Sequence, residues 1–265
     1  MPIQALTFRP GIVRDITDFS NSGGWYDADK VRFRMGCPET IGRWQKYSTD
    51  TFLGECRGLH QWTTLDGTNY TGVGTNLKLY VETGGDYYDI TPIRRTVTLG
   101  ANPFTTQSVS NGKLTVTDNS NGSVQYDFVT FSGATAFDNY TTGMLNAEHQ
   151  IIEILSANTY TIEITGVTSA SAGVSGGGAA VEAAYQINVG PDTQVFGTGW
   201  GTGTWGRGTW GSASTSGVST GQIRIWSMDN FGEDLVACVR GGGIYYWTAS
   251  TGVGTRAVAL SDLPG

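Results

Sequence analysis

An all-β fold is predicted by this 265-residue sequence: propeller-like antiparallel blades interrupted by an inserted small β-sandwich or barrel module. Three observations lead there. Residues 62–90 read as four short strands divided by tight turns, about the size of one propeller blade. Residues 223–248 repeat the order of those features: a Trp strand, a small or apolar strand, then an aromatic strand after a Gly-rich turn. Between them, at 96–190, the text shifts to Thr, Ser, Asn and Gly with a single cation. The 39 glycines are about twice the usual ~7 % share. They sit within alternating Val, Thr and Tyr text and therefore mark turns. Aromatic residues at 11 %, with eight Trp, separate the chain from disordered sequences.

Residues 1–28 read as an extended arm with turns at Pro10-Gly11 and Gly23-Gly24. Residues 30–35 alternate as a half-buried strand, with Val31, Phe33 and Met35 on one face and Lys30, Arg32 and Arg34 on the other. Those cations suit a solvated face countered by Asp27 and Asp29, an acidic protein partner, or phosphates. Strands follow at 41–47 and 56–65; the second carries His60, a hydrogen-bonding residue rather than a ligand, with no other His nearby. In the first blade Asp66-Gly67 signals a type I′ hairpin turn. Residues 69–74 make the next strand. Residues 77–82 place Leu77, Leu79 and Val81 on one face and Lys78, Tyr80 and Glu82 on the other. Gly84-Gly85 turns into a last strand at 86–90.

Three domains are expected: an arm with the first blades at 1–95, the inserted module at 96–190, and a Gly/Trp loop with a further blade at 191–265. Within the module, 114–117 and 127–132 read as strands, 150–155 and 159–165 as a hairpin, 141–148 as a short helical turn, and 170–180 as a small-residue linker. Trp200, Trp205 and Trp210 are each followed by Gly and spaced by five. That spacing fits neither one strand face nor one helix face, so the rings point different ways from a loop and suit packing, a subunit interface or ligand stacking. In the second blade Trp226 plays the part of Trp62, 229–232 is a polar turn, and Gly241-Gly242 another.

The net charge is −7 and uneven: eleven cations and eleven acids at 1–95, one against seven at 96–190, four against five at 191–265. An acidic chain is a poor generic DNA binder. Charged residues make up 15 %, below the usual ~25 %, which suits a surface partly buried against neighbours. Cys37, Cys56 and Cys238 are an odd, widely spaced set, expected as small buried hydrophobes in a reducing compartment. No signal-peptide core and no apolar run of 18 residues occurs. The two G-x-G-x-x-G matches at 201–211 lack a strand–helix context and are accidental. No metal, phosphate-loop or nucleophile motif is present, so no cofactor and no catalysis are expected, although spatially paired carboxylates escape sequence inspection.

The runs GVGTNLKLYVETGGDYYDITPIR, FRPGIVRDITDFSNSGGWYDADKVRFRMGCPETIGRW and GTGTWGRGTWG resemble tail nozzle proteins of short-tailed bacteriophages, the packaged-DNA stabilisation or tail tubular group. The likeness spans about 1–95 and 191–265 and carries no catalytic motif. The middle stretch is similar to modules of phage tail proteins, though its turn NSNGSVQYD departs from their commoner His-Gly form. The resemblance implies a structural virion protein assembled in the host cytoplasm. It would form a ring of six copies below the head-to-tail adaptor, carry tail fibres or a tip protein, and pass packaged DNA without sequence-specific contacts or membrane insertion. The candidate interface residues are Trp200, Trp205, Trp210, Lys30, Arg32 and Arg34. A receptor- or glycan-binding tail protein using the Trp is the alternative, and a depolymerising enzyme a weaker third. Two blades cannot close a ring, and the ending SDLPG after a strand suits the front part of a longer protein.

Overall fold

The computed structural model describes residues 9–15, 17, 19–42, 46–109, 111–190 and 223–262. The chain divides into two compact units, Met1–Thr49 and Asp50–Gly265.

The first unit holds one hairpin, β1 (Val31–Arg34) and β2 (Cys37–Thr40), in register Arg34↔Cys37. Met35 (φ 50°) and Gly36 (φ 83°) form its two-residue turn, the left-handed pair that matches strand twist. The expected strand is thus shortened at both ends. Lys30 lies outside it at φ 56°, and Met35 projects from the turn, 95 % exposed, instead of joining Val31 and Phe33. Phe33 packs edge-on against Trp25, ring centroids 6.2 Å apart. The described residues of 41–47 form no strand.

The second unit contains two four-stranded meanders and one eight-stranded sheet, all antiparallel. The first meander is β3 (Cys56–Thr63), β4 (Asn69–Thr75), β5 (Leu79–Thr83) and β6 (Asp86–Asp89), paired in sequence order. Its first turn is not type I′: at 64–67 only Gly67 has positive φ (88°), its N–H donates to Thr64 O, and Thr64 N–H donates to Thr68 O. That is a type I turn closed by a glycine bulge, which Leu65 and Asp66 accept without left-handed strain. Both faces of β5 are buried, because residues 50–55 cover the outer one: Phe52 packs on Tyr80 and Tyr87, and Tyr80 Oη accepts from Leu53 N–H.

The eight-stranded sheet begins with β7 (Ile93–Thr98), β8 (Phe104–Thr106), β9 (Lys113–Thr117) and β10 (Phe128–Ser132). After a one-turn helix α1 (Thr142–Leu145), whose Thr141 side chain accepts from Met144 N–H, come β11 (Glu148–Ser156), β12 (Thr159–Glu163), β13 (Ser175–Gly176) and β14 (Glu182–Gln186). The order is β13-β8-β9-β12-β11-β10-β14-β7. Two register shifts in β11 sharpen the twist, and the sheet curls on itself. Phe104 of β8 meets Phe131 of β10 at 5.0 Å, and Tyr160 of β12 hydrogen-bonds Tyr185 of β14 at 2.9 Å. Leu114, Val116, Ile151 and Ile162 fill the interior. The expected linker at 170–180 is instead partly strand, since β13 pairs with β8. Pairing of β7 with β14 sets the two ends of the stretch side by side.

The second meander is β15 (Trp226–Phe231), β16 (Asp234–Val239), β17 (Ile244–Trp247) and β18 (Val258–Ala259). Asp229 and Asn230 are strand residues, not a turn; Gly232 (φ 66°) opens a two-residue turn between Phe231 and Asp234. The meanders pack face to face. Gly58, Gly72 and Gly74 make a small-residue stripe on β3 and β4 that receives Trp226, Met228 and Leu235. Trp226 Nε1 donates to Thr75 O at 2.7 Å, and Trp62 Nε1 to Glu233 O at 2.8 Å, so each sheet's Trp is anchored on the other sheet's backbone. Leu79, Val81, Ile90, Ala237 and Trp247 complete this core. The described residues close no ring of blades. Cys37 and Cys56 are exposed and Cys238 half-buried, contrary to the buried expectation, because Cys37 lies on the hairpin's open face and Cys56 opens an edge strand.

Candidate functional site

Lys30, Arg32 and Arg34 lie on or beside β1, all exposed. Arg32 pairs across the hairpin with Glu39 at 3.1 Å, its register partner. Lys30 lies 3.5 Å from Asp29. Such exposed pairs contribute only about 0–1 kcal/mol. Asp27 serves Arg14 instead, at 2.5 Å; the hydrogen bond from that guanidinium, with Ala28 N–H, holds its carboxyl below the usual range. Arg34 has no carboxylate within ion-pair reach among the described residues. Trp200, Trp205 and Trp210 lie outside the described residues. His60, at Nε2, lies 3.2 Å from Asn230 Oδ1 and stacks on Trp62, as a structural histidine does.

The strongest concentration of buried charge is one the sequence did not announce. Lys78, its side chain 4 % exposed, holds Asp89 at 2.7 Å and Glu148 by a shorter contact. Arg256 reaches Asp89 at 3.3 Å and Glu148 at 3.6 Å. Gln186 Nε2 donates to Glu148 Oε2 at 2.5 Å, and Lys78 Nζ sits 4.5 Å over the Phe128 ring. Two cations and two carboxylates from β6, β11 and the 4–5 and 17–18 connections thus tie both meanders to the eight-stranded sheet. Burial pushes the Asp89 carboxyl up, but Lys78 and Arg256 outweigh it and hold the group below its ordinary value. Alternation placed Lys78 on the face opposite Leu79 and Val81, and contacts distant in sequence bury it. Asp127 is a second buried joint, accepting from Val124 N–H, Val189 N–H and the Asn188 amide. Burial raises its carboxyl despite those bonds.

A polar groove of about 440 Å³ runs beside β7 and β9, lined by Arg95, Thr98, Asn102, Thr105, Thr117 and Asp118. Its charges are spent on each other: Arg95 grips Asp118 through two hydrogen bonds of 2.7 and 3.1 Å. Among the described residues no group of three metal-ligating side chains occurs. No described helix is long and apolar enough to cross a membrane.

No protein-family model and no curated protein sequence matches the chain. Among solved structures the chain is similar to a phage phi92 endosialidase, at 12 % sequence identity and a TM-score of 0.29, over 83 % of this chain and 31 % of that one. The chain thus spans under a third of that protein's length, and a likeness this remote carries no argument about function.

Proposed function

We propose that this protein is a structural subunit of a bacteriophage tail, assembling as a ring that surrounds the path of packaged DNA. The observation that carries the reading is the meander pair. Two four-stranded sheets stacked face to face, Trp226 keyed into the Gly58/Gly72/Gly74 stripe, are units of the kind that propellers repeat. Strands of the first meander fall within the run GVGTNLKLYVETGGDYYDITPIR, which resembles tail nozzle proteins. An overall charge of −7 favours a wall past which DNA slides over one that grips it. On this reading the chain performs no catalytic turnover, and its partners are further copies, the head-to-tail adaptor and a fibre or tip protein.

Mass photometry of the purified chain, with and without adaptor rings, tests this. Closed oligomers, or stoichiometric capture on the adaptor, are expected. A monomer at every concentration that ignores the adaptor contradicts it. Release of reducing sugars from host polysaccharide, abolished by a single carboxylate change, would promote the enzymatic reading instead.

A further inference from the structure

The two meanders have chemically opposite ends. β3 and β15 run alongside in the same direction, Gly58 against Trp226 and Trp62 against Glu233. Their outgoing turns, at 64–68 and 232–233, therefore lie together, with the Gly84-Gly85 turn at the same end. Glu233 Oε1 accepts from Leu65 N–H at 2.6 Å and fixes one turn against the other. Out of this end project Leu65, 97 % exposed, and Phe231, 75 % exposed. The described acidic residues of these turns and their adjoining strands are Asp66, Asp86, Asp229 and Glu233. The meander cations Arg57, Lys78, Arg224 and Arg240 belong by topology to the opposite end, while Arg256, in the β17–β18 connection, spends its guanidinium on Asp89 and Glu148. Two large apolar side chains held in water on well-anchored turns gain nothing for the fold. An acidic collar around them selects a basic, apolar-tipped partner, since complementary potentials orient and select contacts.

A surface of that description exists on the chain itself. The β1–β2 hairpin carries Lys30, Arg32 and Arg34 and ends in Met35, 95 % exposed at a turn. Arg34, beside that tip, lacks a carboxylate partner among the described residues, and Met is an adaptable filler of apolar contacts.

We propose that these are the two halves of one contact between copies: the basic, Met35-tipped hairpin of one copy seats on the acidic end of the next copy's meander pair, around Leu65 and Phe231. The proposal rests on the ring reading above and gives it a chemistry. Because the two surfaces differ, the contact is head-to-tail, and head-to-tail contacts close rings when the rotation permits. The contact is also screened by salt.

Two variants of the full chain separate the halves: Leu65→Ser with Phe231→Ser, and Arg34→Glu with Met35→Ser. All four side chains are exposed, and thermal melts matching the parent's verify folding. In sedimentation velocity each double variant should self-associate at least tenfold more weakly than the parent, which itself weakens as salt rises. Mixed in equal amounts, the two variants should give a one-to-one complex and nothing larger, since each retains one good half. Parent rings that persist unchanged in both variants would overturn this contact and leave the ring reading standing. A parent that stays monomeric at all concentrations would overturn both.

Discussion

A methyl group has no room at Gly74. It would overlap the Trp226 ring, and at Gly58 a Cβ would lie 2.9 Å from Trp226 Cβ. Interiors packed to crystal density do not yield to such intrusions. Gly74→Ala should cost about 1–3 kcal/mol, the usual range for overpacking, and Trp226→Ala about 3–5 kcal/mol. Urea titration measures both, and the pair contains its own control: in a Trp226→Gly background, which removes the ring and also the Cβ 2.8 Å from the added methyl, Gly74→Ala should be close to neutral. Equal costs in both backgrounds would mean that the ring is not the obstacle. The glycine abundance was plain in the sequence, but its two uses were not separable there. Gly67 and Gly232 serve turns, whereas Gly58, Gly72 and Gly74 serve an opposing sheet, and a lone alternating Gly-Val-Gly does not say which.

Asp89 carries the acid response at the same scale. Its folded carboxyl is held below its ordinary value, so its stabilisation is complete above the unfolded value of ~3.9 and is lost as pH falls through the lowered folded value. Asp127 works in the opposite sense, because burial raises its carboxyl and protonation relieves that cost. Asp89→Asn should destabilise at pH 7 by about 1–3 kcal/mol, the range for hydrogen bonds to charged groups, and by less at pH 3. Denaturant midpoints at the two pH values check the sign; a cost that grows on acidification would contradict the assignment.

At the scale of elements, the first meander, the first three strands of the second and the strands at 114–117, 127–132 and 159–165 were legible, because alternation and turn glycines are local signals, whereas β18 was not. What escaped needed contacts far apart in sequence: β13 within small-residue text, the cover of residues 50–55 over β5, and the burial of Lys78 by Glu148 and Phe128. The stretch at 96–190 remains proposed as separable from the meanders. Its ends pair through β7 and β14, but Ile187 belongs to the meander core, so the cut belongs before it. Replacing 96–185 by a short Gly-Ser linker should leave a cooperatively unfolding meander pair. In the intact chain Lys78→Met should cost about 3 kcal/mol, as breaking one side of a buried pair does. In the shortened chain, which lacks Glu148 and Phe128, the cost should fall to within ~0.5 kcal/mol, as at ordinary surface sites. An undiminished cost would mean that the junction does not involve the excised sheet.

For the whole molecule, the sequence pointed to assembly through low charge density and family resemblance, but not to which surfaces meet. The Trp200, Trp205 and Trp210 loop lies outside the described residues, so its part in assembly stays a proposal: single Trp→Ala changes should lower thermal stability or ring formation, and loss of glycan attachment with both intact would favour the alternative reading. The charge separation along the meander pair became visible only once the turns were placed at a common end, since Asp66, Asp86 and Glu233 are scattered in sequence. Cryo-electron microscopy of the assembled chain bears most directly on the central claim. The account predicts a closed ring with an opening wide enough for duplex DNA, its subunits each presenting a stacked pair of four-stranded meanders. Particles that average to an isolated monomer, or to an assembly with no central passage, would contradict it.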